Sequence, residues 1–262
     1  MTRNFCFGVL ALNPKYQALA KSLATDLATH GPGITLVVGT DNPGYFRNCS
    51  NVSAFQLHKR GILHCYHDKR FVIEKALTQF ETVIQIDADT QITHPIPENI
   101  PSSPGISAVH IQNILLHAQY APERLPHFHQ LAAKLDVDLS QVSFVGESLF
   151  AVSARGDQAQ AFIQHWHLIA RYLELRGIHA GEGNTIGIAA AKAGLAVQSA
   201  DWLESINQAR RHTNASTQAS AATHPPSRVA QRWQQLARRI SYHYRLNQAR
   251  LLALKHFDFY YR

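Results

Sequence analysis

Short apolar runs alternate with stretches of helical periodicity over the first 200 residues, and this alternation limits the chain to one broad architecture. Phe5–Leu12 reads as a buried strand. Tyr16–Thr29 follows with Leu19, Leu23 and Leu27 at intervals of four, the spacing of one helix face. His30-Gly-Pro-Gly33 stops it. Ile34–Val38 reads as a second strand and Gly39–Gly44 as a loop. Lys69–Phe80 reads as a helix with Phe71, Val72, Ala76 and Phe80 on its apolar side, and Thr82–Ile86 as a third strand. Alternating elements of this kind imply an α/β chain with a mostly parallel sheet covered by helices on both faces. Asn99–Gly105, rich in proline, ends this first half, and residues 106–150 show no clear period. Helical patterns return over Gln158–Arg176 and Gly181–Gly194.

Charge divides the chain differently. Residues 228–262 hold eight Lys or Arg against one acid, Asp258, which accounts for the whole formal excess of +7 and leaves the first 227 residues neutral. Asn214–Ser227, rich in Ser, Thr and Ala and ending in Pro225-Pro226, reads as a linker. The expected layout is a catalytic domain over 1–213, a linker over 214–227 and a basic amphipathic helix over 228–262. On that helix Val229, Trp233, Leu236, Ile240, Tyr244, Leu251 and Leu254 mark an apolar face among arginines. One reading docks this face on an anionic membrane surface. The other packs it against the catalytic domain or a second subunit. A neutral body argues against nucleic acid as a partner.

Three cysteines, Cys6, Cys49 and Cys65, make an odd number with no CxxC pair, which points away from a disulfide framework and toward a reducing, cytoplasmic compartment. The apolar run at the N-terminus is followed at once by Asn13-Pro14-Lys15 rather than a small-residue cleavage site, so it is read as a strand and not a secretion signal.

The chemistry centres on Val83-Ile-Gln-Ile-Asp87-Ala-Asp89. A buried strand here runs into two carboxylates one residue apart. Ligands of open α/β sheets bind beyond the carboxyl ends of the strands, and two acids placed there repel each other unless a cation joins them. Mn²⁺ or Mg²⁺ held by Asp87 and Asp89 and completed by diphosphate oxygens would satisfy both.

This arrangement resembles a glycosyltransferase of the GT-A fold. Four segments carry the resemblance: Val9–Tyr16 after the first strand, His67-Asp-Lys-Arg70 opening the helix before the Asp-x-Asp strand, Ile86–Asp89 itself, and His179-Ala-Gly-Glu-Gly183 before a helix. The pattern is most similar to the retaining family of the histo-blood-group galactosyl- and N-acetylgalactosaminyltransferases. There a Phe-Ala-Ile-Gly-Lys-Tyr-like loop touches uracil, and a His-Asp-Glu motif supplies a carboxylate below the anomeric carbon. The resemblance implies Ala11, Asn13 and Tyr16 at the nucleotide and Glu182 as that carboxylate, with His179 beside the acceptor. It also implies a UDP-sugar donor, a glycan or lipid-linked acceptor and a metal-dependent, retaining transfer.

Several residues keep two readings. Glu182 either steadies an oxocarbenium-like centre, or attacks it, or is a helix N-terminal acid favoured by the dipole. Glu147, in Phe144–Phe150, binds acceptor hydroxyls or is a solvated turn residue. Lys69 and Arg70 bind the donor or face solvent. Asp41, after the second strand, meets the ribose or base. His212 or His224 completes the metal shell. Two other function classes fit parts of the chain: a phosphatase of the haloacid dehalogenase type, which also places Asp-x-Asp after a strand, and a non-enzymatic lipid- or nucleic-acid-binding protein using the basic tail.

Overall fold

The structure, a computed structural model, describes residues 3–101, 103–213 and 228–262. Its first half runs β1 (Phe5–Ala11), α1 (Asn13–His30), β2 (Leu36–Thr40), β3 (Val52–Gln56), α2 (Lys69–Leu77), β4 (Thr82–Ile86) and β5 (Thr90–Ile92). The middle runs β6 (Gly105–Ala108), β7 (Ile111–Asn113), α3 (Ile114–His117), α4 (Leu125–Leu135), β8 (Ser143–Val145), β9 (Leu149–Ser153), α5 (Gly156–Glu174) and α6 (Glu182–Lys192). The chain closes with β10 (Val197–Gln198), α7 (Asp201–Gln208), β11 (Arg210–His212), α8 (Arg228–Ala253) and α9 (Phe257–Tyr261).

Seven strands form one sheet in the order β10-β6-β9-β4-β1-β2-β3. All pairs are parallel except those of β9, which runs against both β4 and β6. The expected α/β class with a mostly parallel sheet is what forms. β4 is buried throughout and β1 at every residue but the partly exposed Leu10, and alternate residues feed two cores. Cys6 and Val83 point to the side covered by α2, α5 and α6; Phe5, Phe7, Val9, Ile84 and Ile86 point to the side covered by α1 and α7. A strand buried on both faces has no polar face to show, which is why it reads as a continuous apolar run.

The second strand runs over 36–40 rather than 34–38, so Gly39 and Thr40 belong to the sheet and not to a loop. Their partner is β3, paired from Leu36–Val52 to Thr40–Gln56. That edge strand is half exposed and mixes polar with apolar residues, so it carried no apolar run to reveal it. The helix after the 60s stops at Leu77 and not at Phe80, whose backbone still bonds Ala76.

The C-terminal segment is helical, and the residues that pack it against the body are not those of the apolar face read in the sequence. Leu246, Ala249 and Ala253 are the buried residues of α8, and Leu246 and Ala249 close over Ile62. Tyr260 is buried in the main core, and its carbonyl accepts from Arg176 Nη2 at 2.9 Å. Trp233, Leu236, Ile240, Tyr244, Leu251 and Leu254, from the face read in the sequence, are all exposed, Trp233 to 66%. The side chain of Val229, the linker 214–227 and His224 lie outside the described residues. No described helix is long and apolar enough to cross a membrane.

Candidate active site

The carboxyl end of β4 delivers Asp87 and Asp89 to the rim of the sheet. There a cavity of about 810 Å³ opens among the loops that follow β1, β3, β4 and β8, and the start of α6. Two short strands complete one side. β5 continues directly from Asp89, and β11 pairs with it antiparallel, His212 opposite Thr90. Thr213 fixes the register by donating N–H and Oγ1 to the Asp89 carbonyl at 2.9 and 2.7 Å. His212 thereby joins the two aspartates, and one ligand atom from each of the three lies within 4.8 Å of the others.

Those three residues fit a divalent cation. His212 Nδ1 is buried with no hydrogen-bond partner among the described residues, 3.7 Å from Asp89 Oδ1, which suits a nitrogen aimed at a metal. Two carboxylates and one imidazole offer hard oxygen donors and one nitrogen, a set that would accommodate a divalent ion such as Mn²⁺.

A second cluster adjoins the first through Lys69. Its ammonium is buried, 2.8 Å from Asp87 Oδ1 and 3.0 Å from Glu182 Oε1, and donates also to the Glu147 carbonyl at 3.0 Å. Burial alone would lower the Lys69 pKa, but Asp87 and Glu182 outweigh it and hold the group charged, above its ordinary range. Glu147 Oε1 accepts from the Gly183 N–H at 2.8 Å, and its carboxyl also hydrogen-bonds Glu182. Burial, then the neighbouring Glu182, pushes Glu147 up to about 8. One of these two carboxyls therefore carries a proton at neutral pH.

Glycines set the position of Glu182. Gly181 has φ +86°, a left-handed turn that L side chains rarely adopt, and it starts α6 at Glu182. A Cβ on Gly183 would lie 2.1 Å from the Val145 carbonyl, so α6 sits directly on the backbone of β8. Glu182 is 3% exposed as a result.

The sequence candidates separate into two groups. Asn13, Tyr16, Lys69, Asp87, Asp89, Glu147, Glu182 and His212 line the cavity together. Ala11, Asp41, Arg70 and His179 are not among its lining residues. Ala11 is buried in the core. Asp41 Oδ1 accepts from the Asn13 N–H at 3.0 Å and from Gln17 at 2.7 Å, which ties the start of α1 to the end of β2. Arg70, one residue after Lys69, points elsewhere: it donates to the His67 carbonyl at 2.6 Å and meets His167 Nδ1 at 3.2 Å. Successive residues of a helix are about 100° apart, so both cannot face the cavity. His179 turns its ring toward Tyr242 of α8, 5.9 Å away.

His67 and Asp68 of the same motif are structural. His67 is fully enclosed, accepts from Trp166 Nε1 at 3.3 Å, and burial beside Arg70 drives its pKa down to about 3. Asp68 accepts from the Arg60 and Gly61 amides at 2.8 and 3.2 Å, and Glu174 accepts from Ile62 at 3.0 Å. These two acids hold the 59–66 loop as a wall of the cavity. Lys59, His64 and Tyr66 on that wall, and His110, His117 and Arg124 opposite the motif residues in sequence, were not singled out. They sit on loops, single helical turns and the four-residue α3, all too short to show a period, and only their convergence in space marks them.

A scan against protein-family models finds no match to this chain, and no curated protein is similar to it in sequence.

Proposed function

We propose that the chain is a metal-dependent glycosyltransferase that takes a sugar from a nucleoside-diphosphate donor. The observation that carries this is the coupling of two clusters through Lys69: a cation site at Asp87, Asp89 and His212, and a proton-sharing carboxyl pair at Glu147 and Glu182. A phosphatase would have no use for the buried Glu147–Glu182 pair.

Asp87, Asp89 and His212 would hold Mn²⁺ or Mg²⁺, whose charge offsets that of the departing nucleoside diphosphate. Asn13 and Tyr16 lie on the rim where a base and ribose would rest; a uridine nucleotide and retention of configuration follow from the resemblance alone. Glu182 supplies negative charge beneath a developing oxocarbenium centre. Its engagement by Lys69 and by the Glu147 hydrogen bond favours this electrostatic role over direct attack, because a carboxylate so bound is a weaker nucleophile. Glu147, protonated at neutral pH, hydrogen-bonds Glu182 and keeps it aimed. The acceptor is a glycan or a lipid-linked sugar. The exposed Trp233, Leu236, Ile240 and Tyr244 beside Arg232, Arg238 and Arg239 favour an anionic membrane as the place where the enzyme meets it.

A panel of nucleotide sugars with Mn²⁺, assayed for nucleoside diphosphate release, tests the reading. At least one donor is expected to be cleaved by the parent, and Glu182→Gln to bind it equally but turn over at least 100-fold more slowly, since the lost charge matters in the transition state. Equal rates for the variant and the parent would remove Glu182 from the chemistry, and no cleavage or binding of any donor would remove the function.

A further inference from the structure

The cavity is electrically divided. Its four carboxylates, Asp87, Asp89, Glu147 and Glu182, belong to the ends of β4, the turn before β9 and the first turn of α6. Of its cations, Lys69 is engaged by Asp87 and Glu182. The other two, Lys59 and Arg124, are not matched in this way. Lys59 donates to the Leu63 carbonyl at 2.5 Å and pairs with no carboxylate among the described residues; burial, and after it Arg245, lowers its pKa. Among the carboxylates of the described residues Arg124 pairs with the exposed Glu123, through Nε at 3.7 Å, while its Nη1 rests where a Cβ on Gly181, the residue before Glu182, would fall. Half-buried cations whose partners are a backbone carbonyl and one exposed, loosely held carboxylate are poorly compensated unless a ligand brings a counter-charge.

Their neighbours place them toward Glu182. His64, on the same wall as Lys59, feels both Lys59 and Glu182, and Arg124 neighbours His117 and Gly181, whereas the charges of Asp89 and Asp87 act on the Tyr16 hydroxyl. Two flat surfaces accompany the cations. His117 stacks on Phe144 at 3.6 Å and 9°, and His64 on Tyr66 at 4.9 Å and 21°.

We infer that the acceptor carries an anionic group, a phosphate or a carboxylate, which Lys59 and Arg124 bind on the Glu182 side of the cavity while its sugar ring lies against the neighbouring aromatic faces. This rests on the glycosyltransferase reading and names the class of its second substrate.

The test measures binding of glucose, glucose 6-phosphate and glucuronate to the full chain by ligand-detected NMR, with UDP and Mn²⁺ titrated separately by calorimetry. At least one charged sugar is expected to bind tenfold or more tighter than glucose, and the pair separates phosphate from carboxylate as the anion. Lys59→Met and Arg124→Met should each bring the charged sugar to the level of glucose, with UDP–Mn²⁺ affinity changed less than twofold. The inference is overturned if charged and neutral sugars bind alike or not at all. It is equally overturned if the two variants weaken UDP–Mn²⁺ in step with the sugars, which would give these cations to the donor. Charged-sugar binding that depends on Lys59 and Arg124, in a protein that binds no nucleoside diphosphate, would keep the anion subsite and discard the glycosyltransferase.

Discussion

Lys69 is the residue on which both halves of the site depend. A buried ammonium between two carboxylates is stable only as a set, because removing one member leaves the others desolvated and uncompensated. Glu147 is the member whose protonation can be followed. Its carboxyl is raised from 4.5 to about 8, so the folded protein binds a proton there that the unfolded chain releases at lower pH. Stability from this group is complete below pH 4.5 and is lost as pH rises toward 8. Glu147→Gln imitates the protonated form, since its amide still accepts from Gly183 and donates to Glu182. Thermal denaturation from pH 5 to 8.5 should show the variant gaining on the parent as pH increases; a constant difference would mean that Glu147 ionises normally. The sequence disclosed Asp87, Asp89 and Glu182 because their types and neighbours are local patterns. It did not disclose that Lys69 turns inward and Arg70 away, because that depends on how α2 is rotated against the sheet. Nor did it show that Asp41 would be taken up by the first amides of α1.

At the scale of elements, the long helices and buried strands were legible to within a few residues, and the pieces that finish the site were not. β11 is three residues long and gains its meaning only by pairing with β5, yet it brings His212 to the aspartates. α6 shows how an element positions a charge. Its contact with β8 leaves no room at Gly183, so Gly183→Ala must push the helix off Val145. Overpacking of this kind costs about 1–3 kcal/mol, to be read by urea denaturation, and it should displace Glu182 and slow donor cleavage as well. A variant as stable and active as the parent would show that α6 can shift freely. α8 presents two faces, and the sequence pattern picked the exposed one. Trp233 and Ile240 lie on it, far in the chain from the docking residues Leu246 and Ala249. Full-length protein should sediment with anionic liposomes at low salt and less at high salt, and Trp233→Gln with Ile240→Gln should weaken this without lowering the melting temperature. No sedimentation at low salt would turn the stripe into a contact with protein instead.

The molecule as a whole joins a neutral α/β body to a basic terminal helix, and the two are not independent. The docked half of α8 covers Ile62 in the loop that walls the cavity, and Tyr242 touches His179 just before Glu182. Composition made the charge division visible, but only packing shows that the basic segment leans on the site. The candidate site and the exposed basic helix are thus neighbours, as the proposed sugar transfer onto a surface-held acceptor would need. All of this presumes that the end of β4 binds a nucleoside diphosphate through a cation. The most direct measurement is calorimetric titration of UDP and other nucleoside diphosphates into the parent and Asp89→Asn, with and without Mn²⁺. The account predicts that at least one nucleoside diphosphate binds the parent only when Mn²⁺ is present, and that Asp89→Asn loses this binding while melting as the parent does. Binding that ignores both the metal and Asp89, or no binding of any nucleoside diphosphate, would contradict it.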